Sequence, residues 1–190
     1  MKADSLFATL HDVAEFLSEQ HIAFALIGGM AVAIRGEPRS TLDVDVIIDC
    51  DVDRGLQLVE VLSKSKFRPL FEGIERVLRT GLLMPIVHRE FGIKVDIALG
   101  MSGFEQEAIR QSTTAKIGTE NIPVVRSEYL LVMKQLAARP RDLDDIAKII
   151  LRQGKHLDWG LTQRLARELG EAVGDDLLGP LTDLRDRFDV

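Results

Sequence analysis

The chain has 190 residues, 46% of them hydrophobic and 28% charged, the balance of one globular domain with or without a small appendage. Its 24 Lys and Arg against 30 Asp and Glu leave a formal net charge of −6, which excludes a passive nucleic-acid coat but not an enzyme that handles nucleotides through bound cations. The single cysteine, Cys50, excludes an internal disulfide and a cysteine-built zinc cage.

The elements follow in chain order. Ser5 caps a helix whose apolar residues, Leu6, Leu10, Val13, Ala14 and Leu17, recur at spacings of three and four. Phe24 to Ile27 is a short buried strand ending at Gly28-Gly29, and Met30 to Arg35 is a helix stopped by Gly36 and Pro38. Val44 to Ile48 is a second strand, interrupted in its apolar run by Asp45. A helix begins at Asp53, with Leu56, Val59 and Leu62 on one face. Leu83 to His88 and Ile93 to Leu99 are two antiparallel strands joined through a turn at Glu90 to Gly92. Gly103 to Gln111 is helical, and Ala115 to Ile117 pairs with Ile122 to Val125 as a hairpin. From Ser127 the pattern is helical throughout, with breaks at Arg139-Pro140, around Gly170 to Gly174 and at Gly179-Pro180.

This order predicts an α+β fold in two parts: a mixed α/β core over residues 1–125 and a helical subdomain over residues 126–190 packed on it. No apolar run approaches the roughly 20 residues that cross a bilayer. Met1 to Leu10 carries Asp4 and lacks a signal-peptide core, so no membrane partner and a cytoplasmic location are expected. The four histidines, His11, His21, His88 and His156, show no metal-ligand spacing.

Chemistry concentrates in the acids. Asp43 and Asp45 are two apart on a strand, so both carboxylates project from one face, roughly 6–7 Å apart along it. Such a pair repels unless solvated or bridged by a hard cation such as Mg²⁺. Asp96 is a lone acid in the apolar strand Ile93 to Leu99, and it completes a three-carboxylate cluster if that strand neighbours the first. A cluster of this kind holds two metals roughly 3.5–4 Å apart for in-line phosphoryl displacement. Gly28-Gly29 lies after a buried strand and before a helix, where backbone can approach a phosphate closely. Alternating acids and a glycine pair also occur on plain sheet surfaces and turns; the order strand, Gly-Gly, helix, loop, Asp-x-Asp strand is what makes the pattern specific.

Ile27-Gly28-Gly29 followed by Asp43-Val44-Asp45-Val46, with Asp96 as the distal acid, resembles the nucleotidyltransferase superfamily. Arg39-Ser40-Thr41-Leu42-Asp43-Val44-Asp45, and Lys134 followed by Arg139 to Ile146, resemble the branch that contains the toxins of abortive-infection (AbiE-type) toxin–antitoxin systems and their uncharacterised relatives. The resemblance spans about residues 22 to 150. It implies a small mixed-sheet nucleotidyltransferase core and transfer of a nucleoside monophosphate from an NTP to an acceptor hydroxyl: an RNA or tRNA end, a protein or a small molecule. It implies two Mg²⁺ ions held by Asp43, Asp45 and Asp96, with Asp96 also placed as a general base, and a nucleotide met by Gly28, Gly29, Arg39, Thr41 and Lys134. For a toxin, an antitoxin partner is implied.

By residue chemistry alone, Lys134 also reads as the snorkelling edge of its helix, Arg39 as a loop cation and Asp142 as a cap of the following helix. Glu37, Arg76, Arg79 and His88 are further candidates for the acceptor side, and Lys64, Lys66, Arg68, Arg76, Arg79 and Arg89 for a local basic patch. The competing expectation is a catalytically degenerate protein that binds nucleotide or a partner without chemistry.

Overall fold

The computed structural model describes residues 2–189, without the side chains of Lys2 and Ala3; Met1 and Val190, the outer ends of the two expected domains, lie outside the described residues. The chain divides into two compact units, one formed up to Met30 together with Ser40–Val124, the other by Ala31–Arg39 with the chain from Val125 onward.

The first unit is built on a seven-stranded mixed sheet. Its strands are β1 (Phe24–Leu26), β2 (Asp43–Ile48), β3 (Phe67–Pro69), β4 (Leu83–His88), β5 (Lys94–Leu99), β6 (Thr113–Ile117) and β7 (Glu120–Val124), in the order β3-β4-β5-β2-β1-β7-β6. The pairs β2/β5 and β1/β7 are parallel and the others antiparallel. Alternation sets the two faces. Val44, Val46 and Ile48 of β2, Val95, Ile97 and Leu99 of β5, and Met84 and Ile86 of β4 are all essentially inaccessible on one face. Each such side chain contributes roughly 1.5–3 kcal/mol on burial, so the centre of the sheet is a rigid platform. Asp43, Asp45, Lys94 and Asp96 alternate with them on the opposite face.

Helices α1 (Lys2–Glu19), α3 (Val52–Val61) and α4 (Ile74–Gly81) pack in this unit, as does α5 (Gly103–Arg110), which lies against β1 and β2. Phe16 of α1 meets Phe67 of β3 at 6.1 Å between ring centroids. A Cβ at Gly55 would lie 3.1 Å from Leu78 and 3.4 Å from Leu99, so glycine lets α3 sit close to α4 and the sheet.

The second unit is helical. It takes in residues 31–35 of α2 (Gly28–Arg35), then α6 (Ser127–Ala137), α7 (Pro140–Gln153), α8 (Trp159–Val173) and α9 (Leu178–Phe188). Among the described residues no helix is long and apolar enough to cross a membrane.

Four local features depart from expectation. Ser5 lies inside α1, which already includes Lys2, instead of capping it. Gly28 and Gly29 are the first residues of α2 rather than a turn ahead of it. β3 and α4 were not expected: β3 is a three-residue edge strand with only Phe67 buried, and α4 is a two-turn helix that buries only Ile74 and Leu78 between left-handed residues Gly73 and Leu82. In the tail, α8 stops at Gly174 (φ 73°), within the expected break, but Gly179-Pro180 falls in the first turn of α9, where proline removes no helical hydrogen bond, and breaks nothing.

Candidate active site

Parallel pairing of β2 with β5 sets Asp43 opposite Lys94 and Asp45 opposite Asp96. One carboxylate oxygen from each of Asp43, Asp45 and Asp96 lies within 4.8 Å of the others. The three sequence-predicted acids are therefore brought to one place by strand register.

Each is held by a neighbour. Thr41 Oγ1 donates to Asp43 Oδ1 at 2.9 Å, so this hydroxyl orients an acid. Ile27 N donates to the Asp45 carbonyl at 2.9 Å, tying β2 to the residue before the glycines, and Gly29 N approaches Asp45 Oδ2 at 3.4 Å. Gly28 has φ 62°, and a Cβ there would fall 2.0 Å from Asp45 Oδ2. The glycine is thus required twice, by its left-handed backbone and by the carboxylate seated on it. Gly28→Ala is expected to cost roughly 1–2 kcal/mol from the backbone alone and to push Asp45 out of the cluster; a thermal melt and a Mn²⁺ titration check the two effects separately.

Sequence reasoning missed Lys94. Its Nζ donates to Asp96 Oδ2 at 2.6 Å. The hydrogen bond with Asp96, and the further charges of Asp43 and Asp45, raise the Lys94 pKa above its ordinary value despite some desolvation. The only signal available was its position two residues before Asp96 on the same strand face. Asp96 Oδ1 is buried and accepts no hydrogen bond. A buried carboxylate oxygen without a donor is costly, and a cation at the cluster removes that cost. Three carboxylates form a hard, all-oxygen donor set that fits Mg²⁺.

The other expected nucleotide contacts, Arg39 and Lys134, lie in the second unit. Lys134 Nζ sits 2.7 Å from Asp142 Oδ1 and 3.0 Å from Asp145 Oδ2, all three side chains being almost wholly buried. Arg39 Nε pairs with Asp145 Oδ1 at 3.3 Å. Asp145 therefore joins the two predicted cations. Asp142 is not the N-cap expected of it: Arg139 holds that position, and Asp142, third in α7, closes the cap from inside by accepting from Arg139 N at 3.3 Å.

Burial pushes the Asp142 carboxyl up, but hydrogen bonds from Arg139 and Lys134 outweigh it and hold the group below the ordinary carboxylate range. A depressed folded pKa contributes stability that is present above the unfolded value, about 3.9, and lost as pH falls through the folded one. Asp142→Asn is therefore expected to lower the melting temperature at pH 6–7, with the gap to wild type closing below about pH 4. Melts across that range check the sign.

His88 does not line the carboxylate face. Along β4 it alternates with Val87 to the side of Met84 and Ile86, where it is 2% exposed. Its Nδ1 accepts from Glu90 N and Phe91 N, which leaves Nε2 to meet Asp12 Oδ2 at 2.9 Å. Its role is to pin the β4–β5 turn to α1. Burial, with the nearby Asp51, pushes the Cys50 thiol up to about 11, so it stays protonated and poorly nucleophilic.

No protein-family profile matches the chain, and no curated protein matches it in sequence. Solved structures match in fold. An antigenic nucleotidyltransferase-like protein from Paracoccidioides brasiliensis superposes with a TM-score of 0.59 over 98% of this chain and 94% of its own, at 16% identity. The chain has a nucleotidyltransferase-like fold. ANT(2″)-Ia in complex with adenylyl-2″-tobramycin gives a TM-score of 0.59 at 14% identity, covering 87% of this chain and 99% of its own. The lincosamide antibiotic adenylyltransferase LnuA, lincomycin-bound, gives 0.52 at 14% identity over 74% and 93%. At these identities the likeness establishes the nucleotidyltransferase-like fold, and the chemistry rests on the residues.

Proposed function

We propose that this chain is a metal-dependent nucleotidyltransferase that moves a nucleoside monophosphate from an NTP to an acceptor hydroxyl. The observation that carries it is the convergence of Asp43, Asp45 and Asp96 on one face of adjacent strands. These residues would hold two Mg²⁺ ions, which supply charge neutralisation of the triphosphate and a lowered pKa for the acceptor hydroxyl.

In the proposed step the acceptor oxygen forms a bond to the α-phosphorus. The bond from that phosphorus to the bridging oxygen breaks, and pyrophosphate leaves with the electron pair. In this reading Asp96 would take the hydroxyl proton as general base. Thr41 keeps Asp43 aimed, and the Gly28 backbone seats Asp45. Gly28, Gly29 and Thr41 are proposed as nucleotide contacts within the first unit, while a nucleotide role for Arg39 and Lys134 would come in addition to their ion pairs with Asp145.

For the acceptor, a small hydroxylated molecule is the favoured class. The net charge is −6, and two members of the prospective basic patch are engaged: Lys66 lies 2.6 Å from Asp12 and 3.4 Å from Glu15, while Arg89 bonds the Ser65 carbonyl. The antibiotic-bound neighbours carry small molecules on the same fold at similar chain length. Incubation with each α-labelled NTP, Mg²⁺ and separate metabolite, RNA and protein fractions tests the reading. Label in the metabolite fraction supports it; label in RNA or protein overturns the acceptor class. Nucleotide binding without transfer supports the degenerate alternative. A toxin role of the AbiE type is tested by growth arrest on expression that a co-expressed neighbouring gene relieves.

A further inference from the structure

We propose that Lys94 is a resident counter-ion of the carboxylate cluster, which an incoming divalent cation must displace. The inference rests on the metal-binding reading of Asp43, Asp45 and Asp96. Three carboxylates gathered within 4.8 Å carry strong mutual repulsion. Lys94 is placed to offset it twice over: it lies opposite Asp43 across the β2/β5 ladder and two residues from Asp96 on the same strand face. Its Nζ bonds Asp96 Oδ2 at 2.6 Å, the oxygen beside the buried, unbonded Oδ1. The Lys94 side chain is 41% exposed against 18% for Asp96, so the ammonium sits at the rim on a flexible stem while the acid is held in place. The ammonium is thus positioned both to keep Asp96 in the cluster without metal and to retreat into solvent when a metal takes its place. Lys94 acts through Asp96 and is a positioning residue.

The sign of the effect on metal affinity separates this role from a structural one. Losing a competing unit charge a few ångströms from a divalent ion in a well-solvated site is expected to tighten binding about tenfold. Losing a merely structural support would loosen Asp96 and weaken binding. The experiment titrates Mn²⁺ alone, by calorimetry, into the full chain as wild type, Lys94→Met, Lys94→Arg and Asp45→Asn. Lys94→Met is expected to bind Mn²⁺ about tenfold more tightly, and Lys94→Arg to return close to wild type. In EDTA, Lys94→Met is expected to melt below wild type, with saturating Mn²⁺ removing the gap. Should Lys94→Met fail to fold, Lys94→Gln carries the same measurement. Equal or weaker Mn²⁺ binding by the uncharged variant overturns the role of Lys94 alone. Wild type binding Mn²⁺ no better than Asp45→Asn overturns the metal site itself, and this inference with it.

Discussion

Asp45→Asn is expected to reduce nucleotidyl transfer by at least about 1,000-fold while the fold survives. Asp45 is the acid with the most elaborate seating: its carboxylate rests on Gly28, near the Gly29 amide, and its strand position pairs with Asp96. The amide preserves shape and removes the charge that a divalent ion needs. Three carboxylates become two, and the remaining pair is partly neutralised by Lys94. Asp43→Asn is expected to do the same, since Asp43 shares the cluster and the Thr41 hydroxyl. Stability should change little or rise, because relieving repulsion among clustered acids offsets the lost contacts. Labelled-NTP transfer together with thermal melts with and without Mg²⁺ checks both halves. Retained transfer in either variant would remove the carboxylate mechanism.

The largest stability effect is expected at Lys134. Lys134→Met leaves Asp142 and Asp145, both almost fully buried, without the ammonium that lies within 3.0 Å of each. Arg139 still reaches Asp142 and Arg39 still pairs with Asp145, but Arg139 is largely exposed. Breaking a buried pair by removing one partner costs about 3–5 kcal/mol, because an uncompensated charge stays behind. For a chain of this size the melting temperature should fall by roughly 10 °C. A loss below about 1 kcal/mol would mean that the two arginines suffice. Lys134→Arg separates this structural role from a nucleotide role: unchanged melting with weaker ATP binding would assign the ammonium to phosphate as well.

These two predictions rest on different kinds of legibility. Asp43 and Asp45 were readable in the sequence as a same-face pair, because side-chain direction along a strand repeats every two residues whatever surrounds it. The alternation of β2 and β5 was legible for the same local reason, β4 as a continuous apolar run, and the helical tail through its own period of 3.6. The edge strand β3 and the short α4 were not, since β3 is three residues with one buried side chain and α4, though amphipathic, is only two turns between left-handed Gly73 and Leu82.

What only the tertiary structure decided is which distant residues meet. Strand register is non-local: nothing near Asp96 in the sequence states that β5 lies parallel to β2 with Asp96 opposite Asp45. The same register makes Lys94 part of the site, though as a residue type it reads only as a solvated strand cation. The ion pairs of Arg39 and Lys134 with Asp145 depend on how separate segments of the second unit pack. The sequence by itself determined the chemical types and their faces, through periods of two and 3.6 residues. The fold decided the constellation, because burial and pairing across the sheet set the distances on which charge interactions depend.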